Sequence, residues 1–296
     1  GPIDGKVYGK VNVSVVNTDT NSGDMWKLNS NASRIGLKGA TEISDSLEVF
    51  YHAEFEIAVD DGSFDNKTKS PDTDKVALKQ RNIVGGIRGD FGSVYAGKHD
   101  SPTKLAQKKI DLFNDLEGDI KNAFEGENRP SNIIAYSTPE LSGLKATLAA
   151  VPGENEKDNG LADGLSYSLG YSVDDLYLAI AGDQDIDSQD LLRIVSQYKM
   201  HALQLGFMYQ QNEKNDGSVD ESGYFLSAAY KVGQVTYKFQ YGMVEDDASG
   251  SDEQTFSLGA DYKLSKKTKA FVFFTDNSDS MVNGTDKDET TFGPGS

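Results

Sequence analysis

The sequence contains no cysteine, so neither a disulfide framework nor a thiolate metal site can form. It also has no run of apolar residues that approaches the ~18 needed for a membrane-spanning helix, and its mean hydropathy is −0.52. These absences exclude a helical membrane protein. They leave open a membrane β-barrel, in which only every second residue of a strand has to be apolar.

Basic residues are scarce, with 29 lysines and arginines against 47 aspartates and glutamates, for a formal net charge of −18 over 296 residues. Because nucleic-acid binding requires a basic surface that neutralises phosphates, we expect no nucleic-acid partner. An acidic composition instead favours a surface that attracts cations or binds divalent ions. The length allows one large β domain or two smaller ones.

Signatures of catalysis are also missing. His52, His99 and His201 are the three histidines, and they fall in a predicted strand, at a loop edge and in a short turn, so a shared site is not expected. There is no serine elbow and no zinc-ligand spacing. The stretch GGIRGDFG at 85–92 is glycine-rich, but it is interpreted as a hairpin turn that opens no helix, unlike a phosphate-binding loop. We therefore predict that the protein is not an enzyme.

A period-two alternation of apolar and polar residues runs along most of the chain. In QVTYKFQYGM, at 234–243, every odd position is apolar or aromatic and every even position is polar or glycine. This period is typical of β-strands that have two different faces. Similar segments bring the strand count to about sixteen, an even number, as bacterial membrane barrels require.

The connections between the predicted strands alternate in length. GDFG at 89–92 and VG at 232–233 are short, whereas 17–29 and 99–130 are long. Tyrosines precede four of the short turns: Tyr171, Tyr198, Tyr230 and Tyr262. Tight turns at one end, long polar loops at the other and aromatic rings at one height are typical of a membrane barrel with an interfacial aromatic girdle.

The two faces of the strands decide which side is inside. The polar faces consist mainly of serine, threonine, glutamine, glycine, lysine and glutamate, which cannot fill a dry core. We therefore predict that the apolar face meets lipid and that the polar face lines water. A two-sheet sandwich that hides one apolar face of each sheet is the alternative, but the alternating loop lengths and the tyrosines favour the barrel.

Several segments resemble the general porin family of Gram-negative outer membranes, which are trimeric diffusion channels. The most specific similarity lies at 81–102, RNIVGGIRGDFGSVYAGKHDSP. Further similar segments are VYGKVNVSV at 7–15, SRIGLKGATEISDSLEVFYHAE at 33–54, RPSNIIAYSTPELSGLKATL at 129–148 and LGADYKLSKKTKAFVFF at 258–274. Residues 152–252 resemble the family in the alternation of strands and turns more than in residue identity.

The resemblance implies an all-β fold, a transmembrane antiparallel up-and-down barrel of about sixteen strands. It implies a single domain over 1–296, placed in the outer membrane, with loop 3 at 99–130 folded inward. The family usually ends in a strand that finishes with phenylalanine, whereas this chain ends in TTFGPGS. The last strand is therefore expected to be short, and 293–296 resemble residues added during cloning. The acidic glycine motif of the loop 3 tip is not recognised.

The resemblance also implies a narrow pore with charges on two sides. Acidic residues of loop 3 are expected at the constriction: Asp111, Asp115, Glu117, Asp119, Glu125 and Glu127. Basic residues are expected on the pore wall: Lys10, Arg34, Lys38, Arg81, Lys98 and Arg129. At Lys98 the family more often has arginine.

Alternatives stay open for these residues. Residues 103–117 can form a short amphipathic helix on which the acids are merely solvated. Arg34 or Arg81 can pair with a loop acid and hold the loop in place, a role compatible with lining the pore. The direction of Arg81 is open because its parity conflicts with that of Ile83 and Ile87.

The resulting hypothesis is a passive channel for small hydrophilic solutes and ions, weakly cation-preferring because acids are in excess. By resemblance it is a homotrimer in contact with lipid and lipopolysaccharide, and the segment near 59–79 reaches over a neighbouring subunit. One alternative is a substrate-specific channel of the same fold. Another, from a different class, is a soluble or surface β adhesin that binds calcium through acidic loops.

Acidic loops raise the question of a metal site. Asp183, Asp185 and Asp187 have the spacing of the first half of an EF-hand. The central glycine is absent and Ile194 occupies the twelfth position, so the motif fails. We expect no cofactor, and at most calcium or magnesium bound weakly by these loops.

Overall fold

The computed structural model describes residues 4–61, 77–154, 157–280 and 287–295. In these ranges the chain forms eighteen strand segments, a short α-helix and a short 3-10 helix. The first nine strands are β1 Gly5–Lys10, β2 Val13–Thr20, β3 Gly23–Ser30, β4 Arg34–Ser44, β5 Leu47–Ile57, β6 Leu78–Gly89, β7 Gly92–Lys98, β8 Ile133–Ser137 and β9 Leu144–Val151. The others are β10 Gly164–Val173, β11 Leu176–Ile186, β12 Gln189–Met200, β13 Leu203–Lys214, β14 Asp220–Val232, β15 Val235–Asp246, β16 Ser251–Lys263, β17 Lys269–Ser280 and β18 Lys287–Gly295.

Within the described ranges, helical structure is confined to the segment between β7 and β8. Helix α1 is Pro102–Ala106, and the 3-10 helix is Ile120–Asn122. Among the described residues, no helix is long and apolar enough to cross a membrane. The predicted contact of 59–79 with a neighbouring subunit concerns a segment of which 62–76 lie outside the described residues.

The strands pair around a ring. Consecutive strands from β4 to β18 are antiparallel partners, and β18 pairs with β2, where Thr291 lies opposite Thr18. Because β1 pairs with β4 while β2 pairs with β3, β1–β2 and β3–β4 are two interrupted barrel strands. Counted in this way, the described segments make sixteen barrel strands. The antiparallel barrel of about sixteen strands is confirmed, although most of 17–29, predicted as a long connection, is the β2–β3 hairpin.

The apolar side chains point outward, as the polar composition of the other face predicts. On β15, Tyr237 is 55% exposed, whereas Lys238 is 9% exposed and Gln240 is fully buried. Other exposed outward residues are Leu178, Ile180, Ile194, Leu205, Leu226, Leu258 and Val272. Buried inward polar residues include Gln189, Arg193, Gln210, Ser227, Thr255, Ser257 and Thr275.

This arrangement is stable only in a non-aqueous surrounding. Burying a leucine, isoleucine or phenylalanine side chain contributes about 1.5–3 kcal/mol relative to leaving it in water. Dozens of such side chains lie on the outer surface, and their combined cost in water would exceed the usual net stability of a domain, about 5–15 kcal/mol. Hydrocarbon removes that cost, so the outer surface is the lipid face.

The short turns lie together at one end of the barrel. Two-residue hairpins contain Asp174, His201 and Gly233 in the left-handed region, with φ of 50°, 52° and 59°, which matches the twist of the flanking strands. His201 is therefore a turn residue. The four tyrosines that precede short turns are all exposed on the outer surface: Tyr171, Tyr198, Tyr230 and Tyr262. They are placed for the interfacial girdle.

Loop 3 lies inside the barrel, where the hydrophobic core also sits. Ile110, Ile120 and Phe124 of the loop pack with Met208 and Phe225 of the wall. A second cluster joins the loop to β2 and β17: Phe113 and Leu116 with Val16, Phe271 and Phe273. The composition of the strand faces suggested an interior that is polar throughout. The interior is instead partly apolar, because part of the wall packs against loop 3.

The helix within loop 3 is much shorter than the alternative over 103–117. It begins at Pro102 after the cap Ser101, whose side chain accepts a hydrogen bond from Lys104 N–H at 3.1 Å. Lys108 and Asp115 then adopt left-handed backbone angles, with φ of 52° and 70°. Such angles interrupt a right-handed helix, and the chain instead follows the barrel wall.

The lipid face can be tested by placing charge at two depths on one strand. Leu258→Arg is expected to lower the free energy of unfolding by about 2–4 kcal/mol, because arginine is costly near the bilayer midplane. Gln254→Arg, exposed four residues nearer the long loops, should cost about 0–1 kcal/mol. Denaturant titration of protein folded into lipid vesicles measures both. Equal costs, or none at Leu258, would contradict the assignment of this face to lipid.

Candidate pore constriction

An ion-pair cluster around Asp100 fastens the root of loop 3. Asp100 Oδ1 accepts a hydrogen bond from Arg129 Nε at 2.8 Å and lies 3.1 Å from Lys104 Nζ. Its backbone N–H donates to Asn82 Oδ1 at 2.9 Å. Burial would raise the pKa of Asp100, but Lys104 and Arg129 together lower it. Arg129, predicted for the pore wall, thus lies where the loop rejoins the barrel.

Arg193 on β12 joins the wall to both halves of the loop and is fully buried. Its NH1 donates to Glu127 Oε2 at 2.8 Å and to the Thr103 carbonyl at 3.1 Å. Its NH2 donates to the Glu125 carbonyl at 2.9 Å. Gln210 Oε1 accepts from Nε and NH2 at 2.9 and 2.8 Å. One guanidinium therefore fixes the outgoing and returning segments of loop 3.

Sequence reasoning did not identify Arg193, although a signal exists. The residue lies between Leu192 and Ile194, which both face outward. An ionisable residue within a membrane-spanning segment is expected to face the interior and to have a partner. Gly126 adds a local reason for the contact: its φ is +93°, and a Cβ there would lie 3.0 Å from Arg193 NH2.

Gln240 and Lys238 on β15 hold the distal half of the loop. Gln240 Nε2 donates to the Gly118 carbonyl at 2.7 Å and to Asp111 Oδ1 at 3.1 Å. Its Oε1 accepts from Leu112 N–H at 2.8 Å. Lys238 Nζ donates to the Leu112 carbonyl at 2.9 Å. Most of these contacts use loop backbone atoms, so the loop sequence gives no sign of them.

Asp111 and Asp119 build the tip of the loop. Asp111 accepts from two backbone N–H groups of the tip at 3.0 and 3.1 Å. Asp119 accepts from the N–H groups of Asp115 and Lys121 at 2.8 and 3.0 Å. Burial, followed by the charge of Asp119, raises the pKa of Asp111 to about 8. These two predicted constriction acids therefore shape the loop.

Asp115 connects the loop tip to the opposite wall. Its Oδ2 lies 2.6 Å from Arg34 NH2 and 3.6 Å from Lys10 Nζ. Arg34 NH1 lies 3.9 Å from Glu54 Oε1, which accepts a hydrogen bond from Arg81 Nε at 2.6 Å. The structure thus brings three predicted wall cations and one predicted loop acid into a single row. Glu54, on the polar parity of its strand, completes the row.

A β-bulge accounts for the direction of Arg81. Ala53 pairs with Ile83, but Phe55 pairs with Gln80, so β6 contains one additional residue at this point. A bulge changes which face the following side chains occupy. The guanidinium of Arg81 therefore turns inward to Glu54 although simple parity would place it outside.

The remaining loop acids also have partners. Glu117 accepts from Asn29 Nδ2 at 2.8 Å, and Glu125 accepts from Gln189 Nε2 at 3.3 Å. With Glu127 on Arg193, all six predicted carboxylates contact the wall or the loop itself. The exposed charged side chains of loop 3 are three lysines: Lys108, Lys109 and Lys121.

Two predicted wall cations lie apart from this row. Lys38 is exposed, with Nζ 5.6 Å from the centre of the Tyr8 ring. Lys98 is the last residue of β7 and pairs with Ile83. Lys38 therefore extends the basic residues of the wall toward the short-turn end, whereas Lys98 shares its register position with Ile83, a residue of the outward parity.

The three aspartates considered for a metal do not converge. Asp183 faces inward and accepts from Thr103 Oγ1 at 2.7 Å, whereas Asp185, at the hairpin tip, accepts from Asn215 Nδ2 at 2.5 Å. Asp187 is an exposed turn residue. Within the described ranges, no group of three or more His, Cys, Asp or Glu side chains is placed to hold a metal ion.

Comparisons with known proteins agree with this architecture. The family model described as Gram-negative porin matches residues 5–280. Outer membrane porin PhoE of Enterobacter cloacae is 28% identical over 224 residues, which are 70% of this chain and 59% of that protein. The chain therefore matches less than two thirds of this relative's length.

Solved structures show the same fold. One, described as "Anion-selective porin from Comamonas acidovorans", has a TM-score of 0.78 at 20% identity and covers 99% of each chain. The trimer form of OmpT from Vibrio cholerae has a TM-score of 0.68 at 14% identity and covers 98% of each chain.

The Arg193–Glu127 pair can be tested by a double-mutant cycle. Arg193→Gln is expected to lower the free energy of unfolding by about 3–5 kcal/mol, because it leaves a buried carboxylate uncompensated. Adding Glu127→Gln should restore part of that loss. Lys121→Gln is the control, since its pair with Asp119 at 3.4 Å involves an exposed lysine and should be worth less than about 1 kcal/mol. Strictly additive losses in the double variant would contradict the coupling.

Asp111 gives stability a pH dependence. Because the folded protein holds this proton up to a pH of about 8 and the unfolded chain only up to about 4, the free energy of unfolding should fall as pH rises between these values. Asp111→Asn should flatten that slope, whereas the exposed control Asp187→Asn should not. Denaturant titrations at pH 5 and 8.5 measure the difference. An unchanged slope in Asp111→Asn would contradict the assignment.

Proposed function

Because this chain belongs to the Gram-negative porin family, whose model matches residues 5–280, we propose that it is a passive channel for small hydrophilic solutes and ions. It is an outer-membrane β-barrel protein of a Gram-negative bacterium, and its relatives are porins and not enzymes. The observation that carries the proposal is the attachment of loop 3 inside the barrel by the buried Arg193.

Sieving by loop 3 requires that the loop keep its position while solutes pass. Arg193, Gln240 and the cluster around Asp100 hold it at separate points along its length. Several charge-assisted contacts on buried groups resist displacement more strongly than exposed contacts do. A fixed loop therefore sets the size limit, and no energy coupling is involved.

Besides sieving by size, charges of opposite sign on the loop and the wall select solutes by polarity. Asp115 of loop 3 lies against a wall that carries Lys10, Arg34 and Arg81, and it is in direct contact with the first two of these cations. A field across a narrow aqueous gap orients polar solutes and holds water in place. Apolar solutes then have to displace ordered water, which disfavours their passage.

We propose a weak preference for cations. Acids gather toward the long-loop end, where Glu253 interacts electrostatically with Asp279, Glu221 and Glu125, and the whole chain carries −18. The exposed lysines of loop 3 act in the opposite sense, which keeps the preference small. The description of one structural neighbour as anion-selective makes the sign a discriminating measurement.

The assembly is proposed to be a homotrimer in the outer membrane, in contact with lipid and lipopolysaccharide. A structural neighbour described as a trimer form supports this state. The apolar outer surface argues against the soluble adhesin, since it requires lipid or a partner to cover it. As part of the same proposal, divalent ions bridge the exposed loop acids to the phosphates of lipopolysaccharide.

Ion selectivity and assembly can be measured together in a planar bilayer. In a tenfold KCl gradient, the reversal potential should have the sign of cation preference, and conductance should close in three steps. Arg34→Gln should increase the preference for cations, because it removes one positive charge beside Asp115. Lys266→Gln, in a short turn, is the matched control and should leave the potential unchanged. A reversal potential of the opposite sign in the wild type would overturn the cation preference.

A further inference from the structure

A cavity of about 720 Å³ lies on the inner wall between β1, β4, β5 and β6. It lies two residues nearer the short turns along β5 than Glu54, because Lys38 pairs with His52 at this level. Its acidic, basic and histidine side chains are Asp4, Lys6, Lys38, His52, Arg88 and His99. With neutral histidines these groups sum to +2, or to +1 when Glu48, the ion-pair partner of Arg88, is counted, in a chain whose total is −18.

Two lysines of this cavity face each other across a strand pair. Lys6 is the direct partner of Lys38 in the β1–β4 ladder, and Lys38 is the direct partner of His52 in the β4–β5 ladder. Like charges directly opposite each other on a sheet are destabilising. An anion bound between them would remove that repulsion, so the pair is better suited to a ligand than to the empty barrel.

Aromatic rings position the cations. Arg88 lies 5.0 Å above the centre of the Phe50 ring, and Lys38 lies 5.6 Å from that of Tyr8. Gly86 makes the first contact feasible, since a Cβ there would lie 2.8 Å from Phe50 Cζ. Cation–π contacts fix the direction of a charge without neutralising it. Lys38 therefore stays available to a solute in the lumen, and Arg88, although paired with Glu48 through Nε, keeps its other N–H donors.

The spacing suits a solute with an anionic group at each end. Arg88 pairs with Glu48, which lies four residues from His52 along β5. The backbone positions of Glu48 and His52 are therefore about 13 Å apart along the strand. The long side chains of Arg88 and Lys38 shorten the distance between their charged groups. Arg88 uses its Nε to contact Glu48, and a guanidinium has four further N–H donors. Lys6 and Lys38 can therefore hold one carboxylate while Arg88 holds the other.

We propose that this cavity is a saturable binding site for small organic dicarboxylates on the solute path. The inference rests on the proposed channel function and gives it a substrate class. Overall cation preference is compatible with such a site, because ion selectivity reflects the whole lumen whereas binding reflects one cavity. A site of this kind holds a dianion by two charge-assisted contacts and slows its passage.

Succinate is the probe, and its block of the KCl current through single channels is the measurement. In the wild type, current should fall saturably as succinate is added to symmetrical KCl, while uncharged succinamide at the same concentrations should leave it unchanged. Lys38→Gln should raise the half-blocking concentration about fivefold, as expected for the loss of one ion pair formed by an exposed lysine. Lys6→Gln should raise it by a similar factor and serves as an independent variant. Lys266→Gln, which removes the same charge at the same end of the barrel, should change it less than about 1.5-fold.

The outcomes separate this inference from the proposed function. A wild-type protein that inserts but does not conduct KCl would contradict the channel itself. A conducting channel without saturable block by succinate would overturn the dicarboxylate site and leave the channel in place. Equal shifts in Lys38→Gln and Lys266→Gln would also overturn it, because they would show a general charge effect.

Discussion

One buried guanidinium, that of Arg193, connects both ends of loop 3 to the barrel wall. Arg193 contacts the outgoing segment at Thr103 and the returning segment at Glu125 and Glu127, and it does so from a fully buried position. A buried charge must be paired, because its desolvation costs several kcal/mol. The strand therefore cannot leave Arg193 without partners, and the loop supplies them. The contacts that satisfy the buried charge of Arg193 are therefore the same contacts that fix the position of loop 3.

A second condition comes from the surrounding hydrocarbon. Backbone N–H and C=O groups in lipid must be bonded within the protein, which a ring of paired strands achieves. With the apolar side chains on the outside, polar ones are left to the interior, where part of the wall meets loop 3 and part lines the lumen. Asp115 links these two parts through Arg34. The proposed sieving and the proposed dicarboxylate site both depend on this division.

Much of the fold could be predicted from the sequence. The period of two identified strands such as β15 and the face they turn to lipid, and the lengths of the connections identified the two ends. Side-chain contacts were harder to predict, because the alternation along a strand indicates which face a side chain occupies but not which residue it contacts. Arg81 shows the limit, since a single bulge in β6 reverses its direction. Arg193 shows another, since its contact with Glu127 joins residues 66 positions apart in the chain. The loop backbone that Gln240 binds carries no sequence signal at all.

The central claim, that loop 3 is held in one place inside the barrel, is tested most directly by a distance measurement in lipid. The chain has no native cysteine, so Asn114→Cys at the loop tip and Thr236→Cys on β15 can carry two spin labels without other substitutions. Pulsed electron paramagnetic resonance on protein in vesicles should give one narrow distance distribution, and Arg193→Gln should broaden it. A broad or multi-peaked distribution in the protein with Arg193 intact would contradict a fixed loop.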